Sequence, residues 1–108
     1  MFAAADGMSE DQKLFAEMDR ARQAQELAEH PIFKEALELY RQRLSDEWAA
    51  SPARDTEGRE KLWLMNKTVS VVEGHLKELM ETGKLASIQW EQKQTLAQRA
   101  KDSLRSLW

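Results

Sequence analysis

The side chains able to do chemistry in this 108-residue chain are few and scattered. There is no cysteine, so the sequence offers no disulfide framework, thiolate nucleophile or thiolate metal ligand. Two histidines, His30 and His75, stand 45 positions apart and give a histidine-based metal site almost nothing to draw on. Paired carboxylates occur at Asp46-Glu47 and at Glu57/Glu60, in each case near the end of a predicted helix, where acids serve dipole and solubility. General acid–base catalysis needs a cleft that shifts proton affinities, and no such cleft is visible in the pattern. Arg54 and Arg59 flank a helix start, the place where arginine and backbone N–H groups together hold phosphate. Asp55, Glu57 and Glu60 stand among them and favour pairing within the chain. The expectation is a non-enzymatic protein with no catalytic residue, metal or cofactor.

The net charge of −3 argues against a generic nucleic-acid binder, but the charge is unevenly spread. Residues 1–30 hold 3 basic and 7 acidic groups, whereas residues 84–108 hold 5 and 2. The candidate DNA-binding set is therefore Lys84, Lys93, Arg99, Lys101 and Arg105, with Trp90 among them. Lys101 and Arg105 are helical neighbours, while Lys84 and Lys93 point elsewhere. One subunit would bind DNA weakly. An assembly of many copies could still present a basic track, because phosphate contacts add up.

Tryptophan is the compositional excess, accounting for 4 of the 8 aromatic rings. Trp48 and Trp63 flank a loop between two predicted helices and are expected in the core, packed against each other. Trp90 and Trp108 lie on a weakly apolar C-terminal stretch. With Leu104 and Leu107 they form a candidate partner interface, since large apolar groups of this kind are enriched at interface centres.

Four helical segments must position these residues. Ser9 with Gln12 reads as a capping box, opening a sparse first helix after a disordered stretch over 1–8. Pro31 opens the second, whose Ile32, Phe33, Ala36, Leu37, Tyr40, Leu44 and Trp48 recur at spacings of three and four. Asp55-Thr56 caps the third, where Leu62, Met65, Val69, Val72, Leu76 and Leu79 make an a/d seam of two and a half heptads. Gly74 inside it costs about 1 kcal/mol against alanine and suggests close approach of another backbone. Gly83 reads as a C-cap, and Ser87 as the cap of a fourth helix running to the terminus. The expected fold is all-α: one helical domain over 9–108, with a long antiparallel hairpin core (31–83) and a basic C-terminal helix (87–108). The third helix is longer than its partners can cover, so the seam is expected to bury against other copies in a homo-oligomer. The opening Met1–Ala5 lacks the basic flank of a signal peptide, and no run approaches the ~20 apolar residues of a membrane span. A cytoplasmic protein is expected, with no membrane partner.

The runs Pro31-Ile32-Phe33-Lys34-Glu35-Ala36-Leu37, Thr56-Glu57-Gly58-Arg59-Glu60-Lys61-Leu62-Trp63-Leu64-Met65 and Glu81-Thr82-Gly83-Lys84-Leu85-Ala86, with Trp48 between the first two, resemble small helical proteins of tailed phages and prophages. The resemblance spans residues 25–86 and rests on helix packing and caps. Within that group it points to the small terminase subunits, which form rings around a helical hairpin and present viral DNA to the packaging motor. It implies a homo-oligomer acting in DNA packaging or head assembly, with packaging or head proteins as partners, in the host cytoplasm or associated with the virion. The chain departs from that pattern in having no recognisable N-terminal helix-turn-helix. A different class of protein fits the same features: a small phage regulatory or anti-defence protein that binds and inhibits a host protein through an acidic or Trp-bearing surface.

Overall fold

Ser9 and Gln12 exchange the two hydrogen bonds that the capping box requires. The Gln12 amide donates to Ser9 Oγ at 3.2 Å, and the Ser9 amide donates to Gln12 Oε1 at 2.9 Å. From that cap α1 runs over Glu10–Glu29. Next comes α2, Pro31–Ala50, with Pro31 in its first turn. His30 is its N-cap, with Nδ1 accepting from the Ile32 amide at 3.2 Å, so this histidine has a structural task. Ser51 closes α2, its hydroxyl donating to the Trp48 carbonyl at 2.7 Å. Asp55 then caps α3, Thr56–Ser106, accepting from the Gly58 amide at 3.0 Å. The computed structural model describes residues 9–107, and among these there is no strand. The chain is all-α. The stretch 1–8 and Trp108 lie outside the described residues.

The sequence places a helix end at Gly83 and a new start at Ser87, but α3 continues through both for 51 residues. A C-cap glycine takes a positive φ, and no glycine among the described residues has one. Gly83 is instead a buried helix-interior residue. A Cβ there would overlap the Cβ of Ala21 and stand 2.9 Å from the Glu17 carbonyl oxygen. This glycine admits the backbone of α1. Gly74, read from sequence as the close-approach site, has nothing within 4 Å of the position its Cβ would take.

The chain forms two compact units. One joins α1 as far as Gln23 to α3 from Leu79 onward; Leu14, Gly83 and Ala86 are its buried residues. The Phe15 and Trp90 rings meet at 4.6 Å with a 58° tilt, within the favourable range for aromatic pairs. Lys93 Nζ lies 2.7 Å from Asp11 Oδ1 and 3.5 Å from Glu10 Oε2. The other unit covers Ala24–Glu78, with Ala24 and Leu44 buried. Between α2 and the first half of α3, Arg41 pairs with Glu73. Arg59 donates to Ser51 Oγ at 3.0 Å and to the Ser51 carbonyl at 3.2 Å, and its guanidinium lies 4.8 Å from the Trp48 ring centroid.

Candidate interaction surfaces

The seam along α3 divides by register. Leu62, Val69 and Leu76, one heptad apart, are half-buried in the second unit. Met65 and Val72 lie one heptad apart on the neighbouring line and are exposed, as is Leu79 in the first unit. Beside Met65 and Val72, Leu64 and Val71 are exposed as well. The second unit therefore carries a stripe of four half-exposed apolar side chains. Ile32 and Leu39 add exposed apolar surface on α2.

The three described tryptophans differ from the sequence expectation. Trp48 and Trp63, expected in the core, are 42% and 56% exposed and line an open groove of about 240 Å³ with Arg41, Leu44 and Leu62. Their helices are apolar enough to suggest burial, yet nothing in this unit closes over the groove. Trp90, expected to be free for a partner, is half-buried on Phe15. The reason is α1, whose thin apolar stripe still carries one ring at the right level. Leu104 and Leu107 are exposed, the latter at 80%. Trp108, the fourth member of that set, falls outside the described residues.

Of the five basic candidates, Lys93 is engaged by Asp11 and Glu10, and these contacts hold its pKa above the ordinary lysine value, the hydrogen bond to Asp11 contributing most. Lys84, Arg99, Lys101 and Arg105 are exposed and make no ion pair among the described residues. They share one segment of α3 but not one face. At 3.6 residues per turn only Lys101 and Arg105 are neighbours. The Arg54/Arg59 phosphate reading loses Arg59, which is committed to Ser51 and the Trp48 ring rather than to the nearby acids.

His75 is exposed, with Nδ1 3.6 Å from Glu78 Oε2. No group of three or more His, Cys, Asp or Glu side chains among the described residues could hold a metal ion. No helix among them is long and apolar enough to cross a membrane. Comparison with family models, curated proteins and solved structures finds no match to this chain.

Proposed function

We propose that the chain is a non-enzymatic, self-associating helical subunit of phage DNA packaging or head assembly, similar in role to a small terminase subunit. The observation that carries the self-association is the half-exposed stripe Leu64, Met65, Val71 and Val72 on α3. Apolar side chains at heptad spacing on an exposed helix are the surface that another helix covers. The α2–α3 pair acts as the hairpin core of the assembly, and α3 beyond Leu96 carries the cations Arg99, Lys101 and Arg105, which make no ion pair among the described residues. The phage setting rests on the sequence resemblance, and the protein works in the host cytoplasm or on the virion with packaging or head proteins as partners. DNA contact is made collectively, through phosphates rather than bases, and is weak per subunit.

The test is to measure the mass of the assembly in solution and then its retention of linear duplex DNA at low salt. An oligomer that retains DNA, with retention falling steeply as salt rises, supports the reading. An oligomer that never retains DNA leaves an assembly role without DNA contact. A monomer refutes it.

A second reading, inhibition of a host protein by a small phage regulatory or anti-defence protein, is favoured by one observation. The Trp48/Trp63 groove is open and carries the residue type most enriched at interface centres. Under that reading a Trp63→Ala variant loses partner capture while the mass of the protein in solution is unchanged.

A further inference from the structure

The stripe on α3 has an internal symmetry that specifies its occupant. Leu64 and Val72 lie four residues either side of Thr68, and Met65 and Val71 lie three either side. Their exposures are alike, at 50%, 50%, 42% and 48% in that order. We propose that this stripe is the contact between two copies of the chain, with the two α3 helices antiparallel about a two-fold axis at Thr68. The proposal rests on the self-association reading above and gives it a partner, a direction and a register.

Antiparallel approach about Thr68 sets Leu64 of one copy against Val72 of the other, and Met65 against Val71, so every apolar group meets one. A symmetric contact of this kind uses the same patch twice, as two-fold interfaces do. Thr68 at the axis can be buried cheaply, because its hydroxyl already donates to the Leu64 carbonyl at 2.8 Å.

The charged residues at the two ends disfavour the parallel alternative. Lys61 stands seven residues before the axis. Directly opposite it in the second copy is His75, with Glu78 three residues further on. Both side chains are about seven-tenths exposed, and their nearest polar partners, Glu57 for Lys61 and His75 for Glu78, lie on their own helix. A parallel arrangement would instead put Lys61 on Lys61 and Glu78 on Glu78. Like charges set against each other select against that alternative.

The area agrees with a reversible contact. Half-exposed side chains of these four types offer about 350 Å² of apolar surface per copy, and with a polar rim the total reaches roughly 1,100–1,200 Å², the lower edge of stable interfaces. A concentration-dependent dimer follows, rather than a permanent one. Because an isologous contact closes at two, any larger assembly needs a second surface.

The absence of native cysteine makes the test direct. Thr68→Cys places one thiol beside its own symmetry mate, and Ser70→Cys, two residues on and turned to another face, is the control. Under mild oxidation Thr68→Cys is expected to give a disulfide-linked dimer at least tenfold faster than Ser70→Cys. Independently, Val72→Glu is expected to weaken self-association at least tenfold in sedimentation equilibrium, with its helical content unchanged by circular dichroism. If the native chain associates but the two cysteine variants cross-link equally slowly, this pairing is overturned while the assembly reading stands. If the native chain is monomeric at every concentration, both fall.

Discussion

Glycine inside a helix carries a cost that only its surroundings can justify, and the two helix-interior glycines at 74 and 83 have opposite surroundings. The Cβ position of Gly74 is open, and its φ is not positive. Gly74→Ala should therefore stabilise the protein by about 0.5–1 kcal/mol, read as a higher urea midpoint. Gly83→Ala meets Ala21 and the Glu17 carbonyl. It should destabilise by about 1–3 kcal/mol, as overpacking does, even though alanine is the better helix former. Sequence makes both glycines conspicuous. It does not say which one another backbone approaches, because that depends on where α1 crosses α3. The same holds for tryptophan: residue type announces an interface or a core, and whether a ring such as Phe15 stands opposite decides between them.

Three helix beginnings were legible in the sequence, whereas the end read at Gly83 and the fourth beginning read at Ser87 do not exist. Ser9 with Gln12, Pro31, and Asp55 each mark a start that the structure shows within a residue. At Ser9 and Asp55 the signal is a side chain bonding to its own local backbone and at Pro31 a ring that fixes φ, so each survives without tertiary information. Gly83-Lys84-Leu85 reads equally well as a cap followed by its hydrophobic contact or as a notch in a continuing helix, and the packing of α1 chooses the second. Amide exchange checks this: the Leu85, Ala86 and Ser87 amides should be protected like their helical neighbours. Rapid exchange at those three alone would indicate a break.

The contact of α1 with α3 also carries a pH dependence. Asp11 and Glu10 raise the Lys93 pKa, so this stabilisation is complete below the lysine value of the unfolded chain. It is lost as pH rises through the higher folded value. Lys93→Met should remove that alkaline dependence from the thermal midpoint. Asp19 behaves in the opposite sense. Hydrogen bonds from Arg22 and Gln23 lower its pKa, so its contribution within α1 is present above the ordinary carboxylate range and fades as pH falls through the lowered value.

For the whole molecule, the seam from Leu62 to Leu79 was legible as an apolar repeat, but the sequence did not show that its lines part company. One line, Leu62, Val69 and Leu76, is half-covered within the chain; Met65 and Val72 stay outside with Leu64 and Val71. A heptad pattern looks the same whether its partner is an intramolecular helix or another copy. The DNA-binding set was legible only as composition: the structure removes Lys93 to a structural pair and gives the other four no common face, only Lys101 and Arg105 being neighbours. Charge-reversing Lys101→Glu with Arg105→Glu should abolish any low-salt retention of DNA while leaving self-association intact, as read by filter binding beside light scattering.

The central claim is that the exposed stripe on α3 joins copies of this chain. Light scattering across a concentration series tests it most directly. The expected weight-average mass rises from the 12.5 kDa of one chain toward twice that value, and a Val72→Glu variant stays at the single-chain mass. A native chain that holds the single-chain mass throughout, or a variant that associates as the native chain does, would contradict it.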